Sequence, residues 1–596
     1  DVDGDGINDI VFGTLDGRIS VLSMDGSRIK DIAGTPAYTH LTEEFDQLVS
    51  KPVPASILQG TPAIAERWGH SAIAAPPAIA DLDGDGTNEI VVVTLNGLIY
   101  AAHFDGTFMP GYNPITLPVL NCADSANLEE CEAALSHVRR GASSSPVIAD
   151  VDGDGQLDVV VAAHDGRVHA YDRAGKPLPG WPVLIPVGQD AQPGALTRSP
   201  AVGDFNGDSV SDLLVTVGEQ HSRNFGRGLA VVVLGGRAPE PPRIADGWPV
   251  GVDTYDLEVD RLDRSTPGGA VDSSSAAPRA LIYGNSSQPF FVPLLPGVTQ
   301  ETDPATRAGQ LPSAAEPISS LDGRLGFDLT GYGTQSEFGG QSAFAPMLAR
   351  PSLGDLDRDG QVDVVVPGIP LSTLDRLRNN NNDADHLAEV AFFSGATGQM
   401  LPSAPITLES LIGATGATIA DLTNDGYPEV ILPNGAGAIL AVDACGRTAP
   451  GWPKWVGGSV SGAAAVADID GDELLDVVIT TEEGWVYAWR TKGAASSYVP
   501  WGSELADANN TSSYQAVGDS VTPAMVWPLP LDASGQCSKT GPLPANDPRS
   551  MHEISARGGC ECEMTTRSRT RAWSLMLLGL CIYLGRRRKR AEHAGS

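Results

Sequence analysis

Basic residues are scarce in this chain. Only 39 Lys and Arg stand against 74 Asp and Glu, a formal net charge of −35. A surface this acidic argues against nucleic acid as a partner. No zinc-type Cys/His spacing, nucleophile elbow or phosphate-cradling glycine loop is present, so the usual motif-borne chemistries find no foothold. Cysteine is thin, at seven in 596 residues. No initiator Met opens the sequence, which begins inside an acidic motif. We therefore read the chain as N-terminally truncated, with any signal peptide upstream. At this length one ordinary core is excluded, leaving several domains or a repeat architecture.

What is present is one short acidic pattern, seven times. It reads Asp1-Val-Asp3-Gly-Asp5-Gly-Ile7-Asn-Asp9, Asp81-Leu-Asp83-Gly-Asp85-Gly-Thr87-Asn-Glu89 and Asp150-Val-Asp152-Gly-Asp154-Gly-Gln156-Leu-Asp158. It recurs as Asp204-Phe-Asn206-Gly-Asp208-Ser-Val210-Ser-Asp212 and Asp355-Leu-Asp357-Arg-Asp359-Gly-Gln361-Val-Asp363. The last two are Asp421-Leu-Thr423-Asn-Asp425-Gly-Tyr427-Pro-Glu429 and Asp468-Ile-Asp470-Gly-Asp472-Glu-Leu474-Leu-Asp476. Oxygen side chains at positions 1, 3, 5 and 9, with the carbonyl of position 7, make the shell a hard cation such as Ca²⁺ requires. Glycines at positions 4 and 6 let the loop turn through positive φ. The ligand positions hold 26 of the 74 acids, four in each of five copies and three in the copies at Asp204 and Asp421. Seven Ca²⁺ would add +14 and leave about −21, so much of the charge is metal-site charge.

An EF-hand needs Glu at position 12, where this chain has Phe12, Val92, Val161, Val215, Val366, Leu432 and Ile479. Each motif instead enters a β-type apolar run, such as Glu89-Ile-Val-Val-Val, so the loop joins two strands. A longer unit surrounds it. Pro77-Ala-Ile-Ala80 leads into the second loop, Asn96-Gly97 makes a hairpin turn, and Leu98-Ile-Tyr-Ala-Ala returns. Several units end in Gly-Trp-Pro, at Trp181, Trp248 and Trp452, with Tyr112 as a variant, and these aromatics read as wedges between units. Between 204 and 355 there is room for one more unit. Ser275-Ala-Ala-Pro278, Ala280-Leu-Ile-Tyr283 and Pro289-Phe-Phe-Val292 read as a degenerate eighth repeat without its acidic loop. Four-stranded antiparallel units repeating at this scale predict an all-β fold, a β-propeller of seven or eight blades.

On these motifs residues 1–499 resemble the FG-GAP/VCBS repeat family of calcium-binding propellers, related in fold to the integrin α head. The resemblance implies calcium loops between the first and second strands of each blade. Two departures, Thr423 at position 3 and Glu473 at position 6, imply weaker sites. In 500–529, Pro500-Trp501 with Asp507, Asn510 and Thr511 resembles the tail that closes similar propellers.

The expected role for the metals is structural, since a loop of four carboxylates repels itself until an ion neutralises it. Function then belongs to the inserts. Segments 219–228 and 369–388 interrupt the second-to-third-strand connection, and 27–75, 113–142, 237–272 and 297–345 follow third strands. All are expected on the rim opposite the calcium loops, as a recognition surface or as tolerated decoration. His103, His164 and His169 sit singly in or beside strands and read as packing or surface histidines. Cys122, Cys131, Cys445 and Cys537 are disulfide candidates with three possible pairings, of which local closure of Cys122 with Cys131 is favoured. Disulfides and weak calcium sites both belong outside the cytosol.

Residues 530–557 read as a flexible linker. In 558–596 come Cys560 and Cys562, an apolar run at 572–585 and a basic cluster at 586–590. The run spans roughly 21 Å as a helix, short of the ~30 Å hydrocarbon core, and flanking arginines can snorkel. The basic cluster predicts a cytoplasmic C-terminus for this transmembrane helix. This tail resembles the MYXO-CTERM sorting signal, which implies processing near the cysteines and delivery to the cell surface or beyond; a plain single-span anchor is the alternative. The chain is thus expected to be an exported, non-catalytic binding or adhesion module for a glycan or protein ligand. The alternative is a calcium-dependent polysaccharide lyase, which would need a base beside a calcium-lined cleft.

Overall fold

The computed structural model describes most of the stretches 1–23, 73–118, 141–217, 227–253, 268–293, 350–370, 388–410 and 416–514, with short strands at 325–326 and 344–345. Residues Asp1–Arg549 form one compact unit; Ser550–Ser596 form another, outside the described residues. The described chain is all-β. Of nine sheets, one is the short ribbon Pro186–Val187 with Gln192–Pro193, and the other eight follow the repeats in chain order.

The third repeat shows the plan. Val147–Ala149 leads into the acidic loop, Asp158–Ala162 leaves it, Arg167–Tyr171 returns through a tight turn, and Val183–Leu184 lies outermost. The second and seventh sheets repeat this four-stranded antiparallel order. The fourth, fifth and sixth sheets each have a fifth strand. Two sheets fall short of four strands. Among the described residues the first has only Asp9–Gly13 and Ile19–Ser23, and the eighth has three strands, Ala465–Ala467, Leu474–Thr480 and Val486–Ala494.

The degenerate repeat exists as the fifth sheet, with one correction. Its first strand is Gly268–Asp272, not the segment at Ser275, which falls in the connection to Arg279–Tyr283. The two glycines made it unreadable as a strand. It needs little apolar surface of its own, because Ala270 and Val271 are buried and Ser513–Tyr514 pairs with it in parallel.

The middle strands of the best-described sheets are apolar on both faces, because each face packs against a neighbouring sheet. Core clusters are accordingly shared between consecutive sheets. Ile99 and Tyr112 of the second repeat pack with Val159 and Val161 of the third. Ile10 of the first sheet packs with Ile469 and Val478 of the eighth, so the last repeat adjoins the first.

Segment 498–514 ties the first strands together. The N–H groups of Ile79, Ile148, Val202 and Val271 donate to the carbonyls of Ala508, Asn509, Thr511 and Ser512, at 2.8, 3.0, 2.8 and 3.0 Å. Those of Ile419 and Val466 donate to Trp501 and Gly502, both at 2.8 Å, and that of Asp355 to the Tyr498 hydroxyl at 3.0 Å. Sheets two to eight each contribute one of these bonds. The Tyr498 and Tyr514 hydroxyls lie 2.9 Å apart, so the two ends of the segment meet. Asn510 donates to the carbonyls of Pro77 and Pro146, both at 3.0 Å. The resemblance pointed to this segment; its circuit is a structural finding.

Candidate metal centres in the acidic loops

Each acidic loop is wound around its own carboxylates. In the first, the Asp1 carboxylate accepts the N–H groups of Gly4 at 2.7 Å and Gly6 at 3.0 Å, and Asp5 accepts that of Ile7 at 2.9 Å. Asp9, which opens the next strand, reaches back to the N–H of Val2 at 2.8 Å. The second loop repeats all four bonds through Asp81, Asp85 and Glu89. So does the third through Asp150, Asp154 and Asp158. Position 7 is thus drawn into the loop by its N–H at Ile7, Thr87, Gln156, Val210, Gln361, Tyr427 and Leu474.

This winding needs positive φ at positions 4 and 6. Gly4 and Gly6 have φ of 75° and 88°. Where glycine is absent the shape is kept: Ser209, Arg358, Asn424 and Glu473 all stand at position 4 or 6 with φ between 60° and 67°. Each such residue costs about 1 kcal/mol relative to glycine, so the loop shape is enforced by its neighbours. Position 8 links successive loops. Asn8 donates to the carbonyl of Asp468 at 2.9 Å, Asn88 to that of Asp1 at 2.7 Å, and the N–H of Ser211 to that of Asp150 at 2.9 Å.

The same winding leaves carboxylate oxygens facing one another. In the sets Asp1, Asp3, Asp5; Asp81, Asp83, Glu89; Asp150, Asp152, Asp158; and Asp355, Asp357, Asp359, candidate ligand oxygens lie within 4.8 Å of each other. Buried Oδ1 atoms of Asp9 and Asp355 have no hydrogen-bond partner. Burial, reinforced by neighbouring carboxylates, pushes the Asp158 carboxyl up to about 8. Asp212 rises to about 7 and Asp421 to about 6, again chiefly through burial. Asp355 rises to about 6 for the same reason. Burial also carries Asp363 and Glu429 well above the ordinary carboxylate range. Orphaned buried oxygens and self-repelling carboxylates are what a hard cation would satisfy, so the donor sets fit Ca²⁺.

The loops are not equivalent. In the second, His103 Nδ1 lies 3.1 Å from Glu89 and within reach of Asp83 and Asp85. In the loop 355–363 the Arg358 guanidinium lies over the ring of buried Tyr498, 4.1 Å from its centroid. The loop 421–429 is buried, and Thr423 donates to Glu429 at 3.3 Å. At the loop 468–476, Arg490 lies on Asp470 and Asp472. Sequence reading missed Arg490. Its signal was register, since Arg490 pairs with Asp476 across the hairpin.

Other expected residues divide. Of the wedge aromatics, Tyr112, Trp181 and Trp452 lie between sheets, and Trp248 falls outside the described residues. Tyr112 is buried and donates to the carbonyl of Asp172 in the following repeat at 2.8 Å, and Trp452 packs edge-on against Trp489 of the eighth sheet. His164 and His169 are buried, the first 3.0 Å from Ser143 and the second 3.0 Å from Asp165. Cys445 is buried and disulfide-bonded. The other disulfide candidates Cys122, Cys131 and Cys537, together with Cys560, Cys562, the C-terminal apolar run and most of the inserts, lie outside the described residues. No helix among the described residues is long and apolar enough to cross a membrane.

The model of the FG-GAP-like repeat matches residues 150–215, which carry the third and fourth acidic loops. No curated protein matches the sequence. Solved structures similar to the chain include BamB from Moraxella catarrhalis, at 14% identity over 70% of this chain and 85% of that one, with a TM-score of 0.36. The V. cholerae biofilm matrix protein Bap1 is similar at 14% identity over 86% and 91%, with a TM-score of 0.33. The quinohemoprotein alcohol dehydrogenase ADHIIG from Pseudomonas putida HK5 is similar at 13% over 72% and 68%, with a TM-score of 0.39. Similarity at this level bears on neither activity nor partner.

Proposed function

We propose that this chain is a calcium-stabilised β-propeller of eight blades, exported to the cell surface, that acts as a binding or adhesion module for a glycan or protein ligand. The eight-blade count is supported by the loop-less fifth sheet and by the packing of the last sheet on the first. The metal role is carried by one observation: carboxylates converge in repeated loops of a single winding, with buried oxygens left unpartnered. An ion bound only by the native state stabilises it by mass action. Calorimetry checks this, with chelation expected to lower the melting temperature by many degrees and an unchanged melting temperature ruling the role out.

For the ligand, support comes from aromatics at the seam of the last two sheets. Tyr487 and Trp489 stack at 5.8 Å with half-exposed rings, Lys454 lies 5.5 Å from the Trp452 ring, and Trp485 is 63% exposed. Ring faces of this kind suit a pyranose. A glycan array tests the reading, and Tyr487→Ala and Trp485→Ala should each weaken any hit. A second reading, a calcium-dependent polysaccharide lyase, is favoured by His103 beside the second loop. New unsaturated ends from uronic-acid polysaccharides, abolished by His103→Gln, would establish it. We read the C-terminal tail as a sorting signal cut near Cys560. Intact-mass analysis of native surface material should give a chain lacking 586–590.

A further inference from the structure

We propose that Arg490 is the built-in cation of the loop 468–476, which therefore holds its carboxylates without a metal ion. The inference rests on the calcium reading of the other loops and departs from it at this one. The eighth sheet pairs Asp476, position 9 of the motif, with Arg490 of Val486–Ala494. From there the guanidinium reaches back over the loop. Its Nε lies 2.7 Å from the Asp472 carboxylate, and its Nη2 donates to that of Asp470. Positions 3 and 5, two of the four side-chain ligands an ion would need, are thus held by one planar fork whose charge is permanent.

Opposite position 9 the first loop has Ser23, and continuing the strand register by one residue puts His103, Asp172, Leu234, Ser394 and Asp443 there in the others, none of them a fixed cation. Proximity of an arginine is not enough. Arg358 lies within its own loop yet turns onto Tyr498, and Arg237 donates to the Gly153 carbonyl at 3.0 Å. A calcium ion at 468–476 would have to displace Arg490 from the oxygens it needs. One arginine supplies half the charge of Ca²⁺; the loop edge at Asp472 and Glu473 meets water, which screens the remainder, while Asp470 is largely covered and its Oδ1 is the one buried oxygen here that no hydrogen bond reaches. The consequence falls on the seam where the last repeat meets the first. Asn8 binds the Asp468 carbonyl there, and Ile10 packs with Ile469 and Val478. With Arg490 in place, this seam keeps its loop shape when calcium is withdrawn.

The test is the calcium content of the full chain after gel filtration in CaCl₂, measured by emission spectrometry. Arg490→Gln should bind one more Ca²⁺ per chain than the wild type. Asp470→Asn with Asp472→Asn should leave the content unchanged, whereas Asp357→Asn with Asp359→Asn should lower it by one. An unchanged content in Arg490→Gln, or loss of an ion in the Asp470/Asp472 pair, overturns the inference while leaving the calcium reading intact. If Arg490→Gln does not fold, the Asp470/Asp472 pair decides. A wild type with no bound calcium overturns both.

Discussion

The loops 421–429 and 468–476 stand on consecutive sheets with the same winding, and what the following sheet brings separates them. Over the first, the third strand of the eighth sheet runs on. The N–H of Lys492 donates to Leu422 at 3.0 Å, that of Asp421 donates to Tyr498 at 2.9 Å, and a Cβ on Gly493 would stand 2.2 Å from the Asp421 carbonyl. Asp425 and Glu429 are consequently at 0% exposure. Among the described residues the short first sheet adjoins the second loop, and Asp472 stays exposed beside Arg490. One motif thus becomes an occluded loop and an open one, the second carrying its own cation on the inference drawn above. The departures at Thr423 and Glu473 implied two weak sites; in the structure these two loops differ in burial.

This contrast can be broken most strongly at the cover. Trp501 is 1% exposed and its carbonyl holds Ile419, just before the buried loop. Trp501→Ala should cost about 3–5 kcal/mol in denaturant titration, and should speed calcium release from that loop in stopped-flow chelation. Next comes Asp425→Asn. With calcium present it should cost about 3 kcal/mol, since a buried ionic partner is lost. In EDTA the sign should reverse, because the amide removes a negative charge that repels Asp421 and Glu429.

A smaller effect, a few degrees of melting temperature, follows from pH. In the metal-free fold burial holds Asp158 near 8, Asp212 near 7 and Asp421 near 6, against an ordinary 3.8. Between these values the native chain keeps protons that the unfolded chain has released. Stability of the metal-free protein should therefore fall as pH rises from about 4 to about 8. Calcium requires the ionised form, so its stabilising increment should grow over the same range. Thermal scans with and without EDTA at pH 5.5 and 8 check both slopes.

Tyr498→Phe should cost about 1–1.5 kcal/mol, through loss of the acceptor for Asp355 and of the Tyr514 contact. Smallest is Asp472→Asn in the open loop, expected within about 1 kcal/mol with or without calcium, as for an exposed ion pair. A large calcium-dependent loss there would erase the distinction between the two loops.

The acidic loops were legible in sequence because their ligand spacing, turn glycines and following strand are all set within a dozen residues. The first strand of the fifth sheet was not, since Gly268–Asp272 is a strand only by virtue of Ser513–Tyr514 and the buried environment around Val271. The identity of the closing segment could be read from Trp501 and Asn510, but not its bonds to seven sheets. Those depend on carbonyls and N–H groups that every residue possesses and that only position distinguishes.

Sequence alone determined the all-β repeat, the seven carboxylate loops and the excess of negative charge, because each follows from local spacing and composition. Tertiary structure decided which loop is sealed, which is open, and where Arg490 puts its charge. Those outcomes turn on register between strands and on what the next sheet lays over each loop, and a guanidinium 20 residues from Asp470 acts on it only once the hairpin has brought them together.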